Sequence, residues 1–247
     1  MIKKIYNFLH ILHNIYFKNK YLISKKTYSL LGEDLIVKNF FKNLKKGLYV
    51  DIGCHNPLRM NNTQLLYQKG WRGINVDVSK FSIDLFNFLR PEDLNYHCAV
   101  SNKNKNVILY FNKEYSPLSS IKKNFVNKRI KGILKKKKIK GFRLDDILSW
   151  GKYKNKQIDF LDIDVEGADL EVLEGLNFKK YNPKVICIEI HKKNYKHDKI
   201  FNFLIKKRYR LIWHKKFSFI FISKRLDAKF FPLTTNYHLL KNKSFHL

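Results

Sequence analysis

A chain of 247 residues can bury one substantial core and suits a single α/β domain, and its 45% hydrophobic and 15% aromatic content excludes a disordered polymer despite 28% charged residues. The formal net charge of +30 would point to nucleic acid, an anionic membrane surface or an acidic substrate. Only eight of the 50 basic residues are Arg, however, and Lys here keeps company with many Asn, Ile, Phe and Tyr, residues that share A/T-rich codons, so genome composition is the first explanation of the charge.

Residues 1–23 put Ile5, Phe8, Leu9, Leu12, Ile15 and Tyr16 on one helical stripe. Segment 1–27 therefore reads as an amphipathic helix packed on the domain. The alternative is peripheral membrane contact, with Lys3, Lys4, Lys18 and Lys20 holding the helix to the surface. No apolar run approaches the roughly 18 residues of a membrane span, and no small-residue cleavage site follows a suitable apolar core.

Over residues 28–226 strand and helix patterns alternate, which argues for a parallel sheet covered on both faces. Strands are expected at 47–52, 73–76, 95–100, 159–163 and 185–189, and helices at 63–68, 83–89 and 168–173, with Ser79 capping the second helix and Gly175 ending the third. An insertion at about 101–146 carries an extra strand at 106–112 and the run Lys135-Lys136-Lys137-Lys138, read as a solvated face, with a lid or docking surface for an anionic acceptor as the alternative. Ser119 and Ser120 precede that run and are expected to face the pocket; Asp145 and Asp146 suit turn or capping roles. The apolar runs 209–213 and 217–223 lie too close together for a helical crossover and should pair as an antiparallel hairpin. Residues 227–247 read as a tail. Cys54, Cys98 and Cys187 lack metal-like spacing and fall in or beside expected central strands, as buried thiols of a cytoplasmic protein.

The densest information lies in Tyr49-Val50-Asp51-Ile52-Gly53-Cys54-His55-Asn56-Pro57 and the strand end Ile74-Asn75-Val76-Asp77. A buried strand runs into a glycine turn, and a second strand ends in a carboxylate suited to the two hydroxyls of a ribose. A pyrophosphate needs several glycines for close backbone approach, and this turn holds Gly53 alone. S-adenosylmethionine fits what remains: Asp51 and Gly53 at the methionine end, Asp77 at the ribose, and Ala99, Val100 and Ser101 at the adenine, with Cys54 and Val78 also among the expected cofactor contacts. The alternative is that Asp51 and Asp77 merely cap helices.

Those two stretches, together with Asn62-Thr63, Gly70-Trp71-Arg72-Gly73 and the later Asp159-Phe160-Leu161-Asp162-Ile163-Asp164-Val165-Glu166-Gly167 with Glu171-Val172-Leu173 and Gly175, resemble the FkbM family of methyltransferases over about residues 28–223. The resemblance implies the class I S-adenosylmethionine-dependent fold: a Rossmann-like three-layer α/β sandwich with a mostly parallel seven-stranded sheet and an antiparallel C-terminal hairpin strand. It also implies O-methylation, often of sugars or other secondary metabolites. Asn62 and Thr63 match the family pattern near the first helix, where they close over the cofactor or cap the helix. Two departures are Asp77, where the family commonly has Glu, and Cys54, at a place often held by a smaller residue.

Ligands of open parallel sheets sit at the carboxyl ends of the strands. Asp164 and Glu166 follow the fourth strand, and Glu189 and His191 the fifth. Asp164 or His191 is the expected general base and Glu166 the residue that orients the acceptor. A divalent metal on Asp164, Glu166 and His191 has acceptable ligand types without diagnostic spacing and is not expected. The leading reading is an O-methyltransferase acting on a small-molecule or glycan acceptor in surface-polysaccharide assembly. RNA methylation, and a non-catalytic basic binding module on the same fold, are the alternatives.

Overall fold

Alternating side chains sort the strands of this chain onto two buried faces, and the helices cover both. The computed structural model describes residues 2–226. Its helices are Ile2–Leu12 (α1), Glu33–Phe40 (α2), Gln64–Gln68 (α3), Lys80–Leu89 (α4), Lys123–Arg129 (α5), Leu144–Ser149 (α6), Asp169–Glu174 (α7) and Lys199–Lys206 (α8). The strands are Leu48–Ile52 (β1), Arg72–Asp77 (β2), Leu94–His97 (β3), Ala99–Val100 (β4), Lys105–Phe111 (β5), Lys135–Phe142 (β6), Phe160–Ile163 (β7), Val185–Glu189 (β8), Tyr209–Lys215 (β9) and Ser218–Ser223 (β10).

Seven strands form one sheet in the order β3-β2-β1-β7-β8-β10-β9. The first five are parallel neighbours, and β10 inserts antiparallel between β8 and β9. Val50, Ile52, Leu161, Ile163, Ile186 and Ile188 project to one side, where Ile147 of α6, Leu173 of α7 and Leu204 of α8 share their core. Tyr49, Phe160, Val185, Cys187, Ile220 and Ile222 project to the other side, where Val37 and Phe41 of the α2 region, Leu66 of α3 and the fully buried Trp71 close over them. Helix, sheet and helix thus make the expected three-layer sandwich.

Most expected elements lie within a few residues of those observed, and α4 begins where Ser79 caps it by accepting from Ser82 N. Gly175 does cap α7, but in a right-handed conformation; a Cβ there would meet Ser101 O at 2.7 Å, so close packing demands the glycine.

Two expectations change. The strand expected at 95–100 breaks after His97: Cys98 N donates to Asp77 O at the end of β2, and Ala99 and Val100 then pair with Gly141 and Phe142 in a second sheet, ordered β4-β6-β5. The Lys135–Lys138 run is exposed for the most part but opens strand β6, which pairs antiparallel with β5. Only Ile139 and Gly141 are buried along that strand, too short an apolar alternation to disclose it. The insertion is therefore a small sheet standing beside the carboxyl ends of β2 and β3. The tail expected at 227–247 lies outside the described residues.

The N-terminal stripe also differs. Ile11 and Ile15 are buried, whereas Ile5, Phe8, Leu9 and Tyr16 are exposed.

Candidate active site

At the carboxyl end of β1 the chain turns sharply through Gly53, whose φ of +85° is natural only for glycine. Gly53 N and Cys54 N both donate to Val76 O, at 2.8 and 3.2 Å, and fold the turn over the end of β2. A Cβ on Gly53 would lie 1.8 Å from Asp164 O, because β1 and β7 run side by side there.

Beyond the turn His55 N donates to Asp77 Oδ2 at 2.9 Å, and Ser79 N donates to Asp77 Oδ1 at 2.7 Å. Burial pushes the Asp77 carboxyl up to about 6, against the stabilising pull of these bonds. At neutral pH it is mainly a carboxylate with acceptor capacity left for a hydroxylated ligand. The His55 ring stacks on Tyr115 at 4.8 Å, and burial lowers its pKa to about 4. Its Nε2 is buried without a partner in the protein.

These groups border a first cleft of about 740 Å³, counting space open to solvent. Gly53, Asp77, Val78, Ala99 and Val100 line it, as do His55, Cys98, Ser119 and Ser120. A carboxylate beside an apolar slot fits a nucleoside: hydroxyls on Asp77, and a flat base against Val78, Ala99 and Val100. The unpartnered His55 Nε2 marks a polar contact that a ligand can complete.

Five expected cofactor residues lie elsewhere. Asp51 shares its face of β1 with Tyr49, one strand period away, and so points behind the turn. There Asn61 Nδ2 and Thr63 Oγ1 donate to its Oδ2 at 3.2 and 2.8 Å. Arg90, fully buried, donates to Thr63 Oγ1, Asn61 Oδ1, Gln64 Oε1 and Pro57 O at 2.8–3.1 Å, and its charge opposes the burial that pushes Asp51 up to about 6. Cys54 packs with Ile83 and Phe86. Ser101 Oγ donates to Glu171 Oε2 at 3.3 Å. Asn62 Nδ2 donates to Asp162 Oδ1 at 3.0 Å and borders a different cleft.

That second cleft, of about 870 Å³ on the same measure, opens between the ends of β7 and β8. Glu33, Asp162, Asp164, Glu166 and Glu189 line it, with Arg129 and His191 as its basic members. Met60, Asp164 and Glu166 border both clefts, so these two carboxyl groups stand at the junction. Asp169 accepts from Val165 N at 3.1 Å and Gly167 N at 3.0 Å, tying the chain into a loop that holds Glu166 at φ +54° and Gly167 at φ +89°. Ser120 Oγ donates to Glu166 O at 2.7 Å and fastens the insertion to the same loop.

Crowded carboxyl groups resist ionisation. Burial, then Glu189 and Glu166, raise the Asp164 pKa well above the usual carboxylate range. Burial and Glu189 push Glu166 up to about 7. In His191 the same acidic surroundings favour the charged form: its Nε2 lies 2.9 Å from Glu189 Oε2, and that bond raises the imidazole pKa. Asp164 Oδ1 is buried without a partner in the protein. Among the described residues no group of three His, Cys, Asp or Glu side chains is disposed to hold a metal ion.

Arg90, His55 and the acidic members Glu33 and Asp162 escaped sequence reasoning. An Arg closing the apolar helix pattern at 83–89 was the one available signal for the first of them. Residues 51–211 match the family model described as the methyltransferase FkbM domain. Searches of curated proteins and of solved structures found no match.

Proposed function

Because the chain belongs to the FkbM methyltransferase family, we propose that it uses S-adenosylmethionine to methylate a hydroxyl of an uncharged, sugar-like acceptor. The observation that carries this reading is the junction: a nucleoside-shaped cleft and an acid-lined cleft share Asp164 and Glu166. Bound in the first cleft, the cofactor supplies an electrophilic methyl group. Asp77 would hold the ribose hydroxyls, while Val78, Ala99 and Val100 would flank the base.

Asp164 is the group assigned to take the acceptor's proton. A base works best when its pKa approaches the operating pH, and burial among like charges moves Asp164 in that direction. Glu166 and Glu189 offer lone pairs to further hydroxyls and fix the reacting one in place. His191, held by Glu189, positions that carboxylate.

The acid lining also argues for the acceptor class. Carboxyl oxygens offer lone pairs to hydroxyl donors in either protonation state, and those of the lining that are ionised also repel phosphate. A nucleic acid would meet that repulsion at the point of chemistry, whatever the lysines elsewhere attract.

The test is incubation with methyl-labelled S-adenosylmethionine and panels of neutral sugars, phosphorylated sugars and RNA, read by mass spectrometry. Label on a neutral acceptor's oxygen is expected. Preferential labelling of the phosphorylated or RNA panel would overturn the acceptor class, and absence of cofactor binding by calorimetry would overturn the whole reading.

A further inference from the structure

One side of the N-terminal helix is fastened to the domain and the other is left apolar and bare. Asn7 Nδ2 donates to Asp84 Oδ2 at 3.2 Å, His10 stacks on Phe81 at 4.2 Å, and Ile11 and Ile15 are buried with Leu58, Leu65 and Leu85. Those positions recur every three or four residues and define the packed face. Away from it stand Ile2, Ile5, Leu9, Phe17 on the π-helical continuation His13–Lys18 and, past it, Leu22, between 52% and 83% exposed. Ten of the sixteen large hydrophobic side chains exposed among the described residues fall between 2 and 23, so this surface is a concentrated patch rather than ordinary scatter.

Charge identifies the occupant. Residues 1–32 contain no Asp or Glu and carry Lys3, Lys4, Lys18, Lys20, Lys25 and Lys26. A second copy would bring like charge against like charge. An anionic bilayer offers both an apolar interior and negative headgroups. Among the described residues no helix is long and apolar enough to cross a membrane, so the segment would lie on the surface.

We propose that residues 2–26 form an interfacial anchor that docks the protein on an anionic membrane surface, inserting the bare side of α1 with Phe17 and Leu22 while the lysines engage lipid phosphates. The segment is already folded on the domain, so docking needs no refolding of the catalytic unit.

Full-length protein should be sedimented with vesicles of phosphatidylcholine alone and of phosphatidylcholine mixed with phosphatidylglycerol. Partition to the mixed vesicles should be at least about tenfold stronger. The variant Ile5→Gln/Leu9→Gln/Leu22→Gln changes only exposed side chains and should lose about tenfold or more of that partition at an unchanged melting temperature. Lys3→Gln/Lys4→Gln/Lys18→Gln/Lys20→Gln should weaken binding to the mixed vesicles alone. Failure of the parent protein to partition, or equal partition of the apolar variant, would overturn the proposal. So would self-association in solution that the apolar variant abolishes, since that would make the patch a contact between copies.

Discussion

The two clefts meet at Asp164 and Glu166 but are made of different material. Around the first, backbone does most of the shaping: four N–H groups, from Gly53, Cys54, His55 and Ser79, fold the turn and aim one carboxylate, that of Asp77. The second is a convergence of side chains, five carboxyl groups brought together by the neighbouring β7 and β8 and by α2. Shape and a backbone-held carboxylate suit a ligand of fixed structure. An array of acceptors suits hydroxyls, and it can change from one residue to the next without disturbing the turn.

Asp164→Asn strikes the junction and should have the largest effect. Loss of a general base costs typically about 10²–10⁴-fold in turnover. Cofactor affinity, measured by calorimetry, should stay within a few-fold of the parent. An equal loss in turnover and cofactor binding would mean that Asp164 belongs to the first cleft alone.

Gly53→Ala attacks the backbone side of the comparison. The added Cβ would fall 1.8 Å from Asp164 O, against rigid backbone in a conformation alanine resists. Destabilisation of about 2–4 kcal/mol is expected in denaturant unfolding, together with loss of cofactor binding. A variant as stable as the parent would show that β1 and β7 are free to part.

Asp77→Asn removes a charge and replaces one of the two oxygens that accept from His55 N and Ser79 N with a donor. Cofactor affinity should fall roughly tenfold to a hundredfold, with turnover at saturating cofactor little changed. If affinity holds while turnover collapses, the ribose assignment is wrong.

The same division governs how much of the site is legible in the sequence. Gly53 and Asp77 sit in contiguous local patterns, a strand running into a turn and a strand ending in an acid, and strand periodicity makes the central sheet readable. Glu189 is readable as a strand end beside Asp164 and Glu166, whereas Glu33 and Asp162 join them only through the packing of α2 and the side-chain parity of β7, which no local pattern contains. Asp51 shows the limit of motif reasoning: it belongs to the motif, yet its parity with Tyr49 turns it toward Arg90 and away from the cleft. Val78, Ala99 and Val100 reach the cleft although the strand expected at 95–100 is interrupted, because Cys98 stays tied to Asp77 O as the chain changes sheets. Exposure of Ile5, Phe8 and Leu9 is likewise beyond periodicity, which finds an apolar stripe but not what covers it.

Glu166→Gln tests the crowding of carboxyl groups by a smaller effect with a defined sign. Burial and Glu189 push Glu166 up to about 7, above its ordinary 4.5, so between those values the folded protein holds more protons than the unfolded chain. Stability from this group is therefore complete below about pH 4.5, falls as pH rises, and is gone above about pH 7. Glutamine keeps the shape of the protonated acid and cannot ionise. The variant should match the parent near pH 4.5 and exceed it by about 1–2 kcal/mol at about pH 8, allowing for partial solvent exposure. Denaturant unfolding at the two pH values measures the difference. A gain independent of pH would trace to packing, and a loss at the higher pH would mean that the carboxylate of Glu166 is paired in the folded protein, with Arg129 on the same cleft as the nearest candidate partner.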